Sequence, residues 1–422
     1  MSDSGSLPRP PRSAVPLALV LLAAGGVFAV TMGARQSMGL FLSVINSTTG
    51  LGLASISLAF GVGQLCWGLT QPVAGLIADR YGAGRVLLLG LVLVCLGTAL
   101  VPLMTTTFGL IVAIGVLAAG GAGFAGPSVL LSATARLAPP AKRGIASGIV
   151  NAGGSFGQFI FVPIAQGITA VAGWAIAIQS MAAIVLLALP AAWVLRGSSA
   201  QAASAAAATA SAPVKRESAG EAIGRAMRDP SYLLLGAGFF VCGFHVAFLA
   251  THLPGVIAAC GLATQWAGWA LALIGLFNIV GSVAMGWAVG RWRMKSLLSL
   301  VYATRGLAVL VFLFAPKTGP VVLVFAAVMG VTFLSTVPPT AGLVAKFFGP
   351  ANMATLFGIV MLAHQVGGFL GAWMGGKVFE ATGSYDWVWY VDIVLAAGAA
   401  LINLPIREQE PVRAAAAARA VP

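Results

Sequence analysis

Apolar residues run in long stretches along nearly the whole chain, broken by short segments that carry most of the charge. Each stretch is about 20 residues or more, the length a helix needs to cross a hydrocarbon layer of about 30 Å. Barrel strands would be shorter and would alternate in polarity, and these stretches do neither. Lipid offers the backbone no hydrogen-bond partners, so the stretches must be helices. The pattern predicts twelve spans. Spans 1–6 cover 15–44, 53–77, 85–104, 107–134, 144–170 and 174–196. Spans 7–12 cover 231–259, 265–290, 296–315, 319–345, 352–379 and 386–405. Between them, 197–230 is rich in Ala and Ser, then basic at Lys215, Arg216, Arg225 and Arg228, which reads as a flexible cytoplasmic linker. The expected organisation is a six-helix bundle in 1–196, the linker, a second bundle in 231–405, and a cytoplasmic, low-complexity tail in 406–422.

Composition agrees with this picture. Apolar residues make up 59% of the chain and charged residues 8%, against roughly 25% charged in soluble domains. The apolar run from Val15 to Leu42 follows Arg9 and Arg12 but is far longer than a signal-peptide core, so it is expected to stay as an uncleaved first span. A net charge of +13 raises the question of nucleic acid. The basic residues sit in short loops and form no patch or arm, so no nucleic-acid partner is expected. Of the 23 Lys and Arg, 19 fall in segments on the linker's side of the bilayer. Only Lys317 and Lys377 fall on the other side, while Arg35 and Arg305 lie within spans. That bias places both termini in the cytoplasm. Cys66, Cys95, Cys242 and Cys260 lie in or at the ends of apolar helices with no Cys-x-x-Cys or His/Cys spacing, so they read as packing residues, with no metal and no cofactor expected. No nucleophile–base set or phosphate loop is present either, so an enzyme is not expected.

The two halves repeat. Gly75 through Arg80 after span 2 aligns with Gly286 through Arg291 after span 8, 211 residues on. Gly148-Ile-Val and Gly157 in span 5 align with Gly358-Ile-Val and Gly367 in span 11, 210 residues on. The expected fold is an all-α membrane protein of twelve transmembrane helices in two pseudo-symmetric six-helix bundles. Parallel repeats of this kind describe the major facilitator architecture, whose solute site lies between the halves near mid-bilayer. Gly75-x-x-x-Asp79-Arg80-Tyr81-Gly82-x-x-Arg85 resembles that superfamily's loop 2–3 signature, with Asp79, Arg80 and Arg85 as a conformational latch.

Ionisable and hydrogen-bonding groups at membrane depth are costly, which makes them site candidates. Arg35 in span 1 has no acid in any first-half span to pair with, so a substrate anion is its economical partner, with snorkelling to the interface as the alternative. His245 lies 210 residues beyond Arg35 and is expected to face it across the cavity, binding substrate or carrying a proton. His252 reads as a cavity-mouth residue. His364 and Gln365 lie in the glycine-rich span 11 and are candidates for substrate or proton coupling. Gln158 in span 5 and Asn278 with Ser282 in span 8 either read polar groups of the solute or bridge helices. Arg305 in span 9 and Asp392 in span 12 are expected to form a structural ion pair.

Arg143-Gly-Ile-Ala-Ser-Gly148-Ile-Val-Asn-Ala-Gly153, Gly167 to Trp174, and His364 through Asp386 resemble the monocarboxylate carriers and their bacterial oxalate/formate-type relatives. The resemblance implies transport of small monocarboxylates, coupled to protons or to a counter-moving anion. The basic residue of that group in span 1 falls at or beside Arg35. Its acid and arginine in span 8 fall on Asn278 and Ser282, and the acidic-glycine-aromatic motif before span 1 in the animal carriers is absent. Arg35 would then have to bind the carboxylate and a histidine carry the proton. The expectation is a monomeric carrier in the bacterial inner membrane that moves a small organic anion by alternating access. The alternative is drug or metabolite efflux, against which stand the missing acid in spans 1 and 4 and an imperfect span 5 glycine-proline pattern.

Overall fold

The computed structural model describes residues 16–137, 143–195, 219–348 and 353–408. Twelve helices in it are long and apolar enough to cross a membrane. They are Leu17–Thr49, Leu53–Ala78, Ala83–Leu103, Thr107–Thr134, Ala146–Ala172 and Trp174–Val194 in the first half. The second half holds Pro230–Ala259, Thr264–Val289, Met294–Phe314, Gly319–Phe348, Thr355–Thr382 and Asp386–Asn403. These are spans 1–12.

Within each half, one pair of helices packs backbone on backbone. Span 5 lays Gly153 on the Gly25 backbone and Gly157 on the Ala29 carbonyl of span 1. Span 11 lays Gly367 on the Phe240 carbonyl and Gly371 on the Phe244 backbone of span 7. A side chain at any of these positions would overlap the neighbouring helix. Such close approach maximises dispersion contact, the main attraction left to helices in lipid. The two seams are related by the repeat, so the pseudo-symmetry read from sequence is a symmetry of packing.

Several spans are irregular inside the bilayer. Span 1 tightens into a 3₁₀ turn at Met38–Phe41, just after Arg35, where Gly39 lies against the Ala250 carbonyl of span 7. Span 4 widens to π-type bonding over Ile111–Ala119. Span 10 breaks between Gly319–Thr332 and Val337–Phe348, because Pro338 and Pro339 have no N–H to return to the preceding turn.

Connections are short. Span 2 continues helically through Asp79 and Arg80 to Tyr81, so these lie in the last helical turn rather than in a loop as expected. Gly82 turns the chain at φ 95°, a left-handed value that favours glycine, and its N–H closes on the Ala78 carbonyl at 2.9 Å. The expected linker contains a helix at Ala219–Ala226, ended by Asp229, whose side chain accepts from the Ser231 and Tyr232 amides to start span 7. Residues 196–218, with Lys215 and Arg216, and the tail beyond Glu408 lie outside the described residues.

The bundles touch mainly through spans 2 and 11 and through spans 5 and 8. Contacts between them crowd toward the end away from the linker. There Glu380 accepts from the Ala54 amide at 2.9 Å, Gly376 rests on Leu53 and Ser57, and Gln166 reaches the Thr264 carbonyl at 2.5 Å. Toward the linker, Gly75, Gly148, Gly286 and Gly358 in the same four helices have nothing within 4 Å of where a side chain would begin. Among the described residues, the bundles meet at the far end and stand apart at the linker end.

Candidate functional site

Arg35 sits part-buried on span 1, one turn before the 3₁₀ stretch. Its guanidinium donates to Gln64 Oε1 of span 2 and makes a long 3.5 Å contact to Gln36 Oε1. The Trp67 ring lies 4.7 Å from the guanidinium carbon, within cation–π range. Gln64 and Trp67 share one face of span 2, three residues apart. Both amides and the ring are neutral, so Arg35 is held by dipoles and keeps its full charge. It points into the protein, against the snorkelling alternative. Spans 1, 2, 3, 4 and 7 enclose a cavity of about 40 Å³ here, lined by Arg35, Gln36, Gln64, Thr98 and Thr251 among others, with no acid in its lining. At roughly 10–15 Å³ per water, that is space for about three waters, the scale of a carboxylate head group.

His245 does not face this cavity, contrary to expectation. Its Nε2 lies 3.0 Å from Asp392 Oδ1 of span 12, and both groups are buried inside the second bundle. The seams explain why. Spans 5 and 11 correspond at an offset of 210, but Ala29 and Phe240, their seam partners, correspond at 211. The counterpart of Arg35 is therefore Val246. One residue on a helix is a rotation of about 100°, enough to turn His245 away from the cavity. Span 7 instead presents Ala250 and Thr251 to it.

The Asp392–His245 contact also replaces the Arg305–Asp392 pair. Arg305 donates instead to the Thr332 and Phe333 carbonyls, the latter at 2.7 Å. These are carbonyls freed by the proline break in span 10. Unsatisfied backbone acceptors at membrane depth outcompete the carboxylate of the neighbouring span 12, which His245 already engages. His252 is likewise no cavity-mouth residue. It is fully buried, its Nε2 2.6 Å from the Ala372 carbonyl, where it packs into Gly375 of span 11. His364 is buried with its ring 4.8 Å from that of Phe239.

The amide candidates lie where the bundles meet. Gln158 Nε2 donates to the Leu271 carbonyl at 3.1 Å, joining spans 5 and 8. Asn278 Nδ2 donates to Ser155 Oγ at 2.9 Å. Its Oδ1 accepts from the Leu334 amide at 3.1 Å and from Ser282 Oγ at 3.3 Å. Gln365 packs its side chain against Gly68 of span 2, and both its polar atoms lack hydrogen-bond partners. Of the latch residues, Arg85 is exposed at the start of span 3, while the side chains of Asp79 and Arg80 lie outside the described residues.

Sequence reasoning passed over Gln64 and Trp67. Their signal was present: Gln64 is a mid-span amide like Gln158, and Trp67 follows it on the same helical face. Thr98 and Thr251 carried none, since hydroxyls in lipid commonly return to their own backbone.

Comparison with known proteins agrees with this architecture. The chain matches the sequence profile of the Major Facilitator Superfamily over residues 23–372 and again over 261–421. It is 24% identical over 393 residues to an uncharacterised transporter of that type, YcxA, from Bacillus subtilis, covering 90% of this chain and 92% of the relative. Monocarboxylate transporter 13 of Rattus norvegicus is 24% identical over 392 residues, covering 92% of this chain and 88% of that one. The oxalate:formate antiporter of Oxalobacter formigenes is 24% identical over 353 residues, covering 82% and 79%. Among solved structures, a variant of the nucleoside transporter NupG superposes with a TM-score of 0.75 at 12% identity, over 92% of this chain and 99% of that one, a likeness of fold. Twelve spans in two repeat-related bundles, a central basic cavity and a profile match across the chain lead to one conclusion: this protein belongs to the Major Facilitator Superfamily and is one of its transporters.

Proposed function

We propose that the protein carries a small organic anion of the monocarboxylate class across the bacterial inner membrane by alternating access, with N- and C-termini in the cytoplasm. The observation that carries this reading is the state of Arg35. An arginine at mid-membrane costs about 2.5–3.5 kcal/mol on insertion scales, and here only amides and an aromatic face offset it. A carboxylate entering the cavity supplies the missing charge in the forked geometry that a guanidinium matches. The named activities of two relatives, monocarboxylate transport and oxalate:formate antiport, support the same class. Gln64 and Trp67 orient the guanidinium, and Gln158 and Asn278 bridge the two bundles across a contact that must open and shut. Transport then follows from differential binding to the two states.

The test is a thermal-shift screen of purified protein against formate, oxalate, pyruvate and lactate, each at two pH values. A ligand at a hundred times its Kd stabilises by about 2.7 kcal/mol, so a saturating anion will raise the melting midpoint measurably. Stabilisation by cations or neutral sugars alone would overturn the reading.

A further inference from the structure

The second bundle buries a titratable cluster that the Arg35 cavity does not use. Asp392 of span 12 and His245 of span 7 face each other at 3.0 Å. Arg305 of span 9 lies close enough to act electrostatically on both. Cys242 of span 7 lies 3.0 Å from the Thr336 hydroxyl of span 10, and Tyr302 of span 9 donates to the Gly238 carbonyl at 2.6 Å. His364 of span 11 reaches the same region, in electrostatic contact with Cys242. Asp392 is the only carboxylate well inside any span. Beyond the Asp392–His245 contact, His245 Nδ1 and Arg305 Nε and Nη1 have no hydrogen-bond partner among the described residues. A purely structural ion cluster closes its bonds, since each open one costs about 1–3 kcal/mol. This one leaves the outer imidazole nitrogen and two guanidinium nitrogens open beside a carboxylate and imidazole in direct contact, two groups that exchange a proton.

A continuous set of contacts leads from this cluster to the bundle interface. Arg305 grips the Thr332 and Phe333 carbonyls on one side of the span 10 break. The next amide, Leu334, donates to Asn278, and Asn278 donates to Ser155 of the other bundle. The break in span 10 is thus held from one side by the buried cluster and from the other by the contact between bundles.

We propose that Asp392 and His245, with Arg305 as the fixed charge beside them, form the proton-carrying site of this transporter, and that the span 10 break ties its occupancy to the Asn278–Ser155 contact. This rests on the anion-transport reading and names its coupling ion. With Asp392 ionised and His245 neutral, the carboxylate balances Arg305. An incoming proton is taken by the Asp392–His245 pair, no other bond forming or breaking, and leaves Arg305 unbalanced. Arg305, no longer drawn to a carboxylate, is then left to the Thr332 and Phe333 carbonyls it already grips, which shifts them and the adjoining Leu334 relative to Asn278. One proton and one monoanion bound together add no net charge to the carrier.

The experiment compares two modes in proteoliposomes with labelled pyruvate as the probe. Counterflow exchanges pyruvate without net proton movement, whereas net uptake is driven by an acid-outside gradient. A proton-coupled carrier concentrates its substrate about tenfold per pH unit, the equivalent of about 1.4 kcal/mol. Asp392→Asn is expected to keep counterflow within about twofold of wild type while losing that concentration step. Gradient-driven accumulation equal to wild type would overturn the proposal, as would loss of both modes in protein that remains monodisperse. If Asp392→Asn does not fold, His245→Gln takes its place with the same two outcomes. Failure of the anion reading is separable, because wild type would then show no pyruvate counterflow at all. In that case the melting midpoint between pH 5 and 9, roughly the range a buried Asp–His pair spans, still decides. An inflection in wild type that is absent from Asp392→Asn supports the site, and superimposable profiles overturn it.

Discussion

Arg35→Gln will abolish anion uptake while leaving the protein folded. Among the described residues that line the cavity the guanidinium is the only charge, so the carboxylate it would bind has no second cation there. Removing a charge-assisted, desolvated contact costs about 3 kcal/mol, or a loss of roughly a hundredfold or more in transport at limiting substrate. The stability side of the prediction separates this residue from a structural one. Deleting one member of a buried ion pair strands its partner at a cost of about 3–5 kcal/mol. Arg35 has no charged partner to strand, since Gln64, Gln36 and Trp67 are all neutral. The melting midpoint of Arg35→Gln should therefore match or exceed wild type. Arg35→Lys keeps the charge but not the planar fork, and should recover only part of the activity. Labelled pyruvate or oxalate uptake, read beside the melting curve, checks all three statements. Unchanged uptake would remove Arg35 from the site.

Gly367→Val should prevent the second bundle from assembling, whereas Gly358→Val in the same helix should not. A side chain at Gly367 would enter the Phe240 carbonyl of span 7, and a backbone carbonyl in a continuous helix cannot move aside. Spans 7 and 11 would have to separate along the seam, losing the contacts at Gly243 and Gly371 as well. Overpacking a core typically costs about 1–3 kcal/mol when side chains can yield, and here none is available to yield. At Gly358 nothing lies within 4 Å. Size-exclusion profiles of the two variants, expressed in parallel, give the comparison. Equal monodisperse yields would mean that the seam is not close-packed.

The spans were legible because lipid imposes one rule on length and polarity, and helix ends follow from where charge begins. The six-helix repeat was legible from glycines, since each glycine at Gly157 and Gly367 answers a packing demand that recurs. Arg35 was found for the same reason that it is costly: a charge in an apolar run stands out. Side-chain direction was not legible. A one-residue difference in register between spans 1 and 7 is invisible in a motif match, yet it turned His245 from the cavity to Asp392. The partner of Arg305 was missed because Pro338-Pro339 signals a broken helix, and the carbonyls such a break frees were not counted as acceptors. Gln64 and Trp67 went unremarked because a mid-span amide and ring signal a polar face without saying which helix it meets. Spatial neighbours across helices are set by packing, and packing is what a single sequence records least.

On the anion reading proposed above, holding a guanidinium by dipoles alone also decides which form of a weak acid is served. An undissociated carboxylic acid offers Arg35 no charge and dissolves through hydrocarbon unaided. Its conjugate base crosses lipid hardly at all. Since such acids dissociate near pH 4, nearly every molecule in neutral surroundings is the form that leaks least and that an amide-held cation grips best. A carrier of such anions would work under the conditions in which passive diffusion fails.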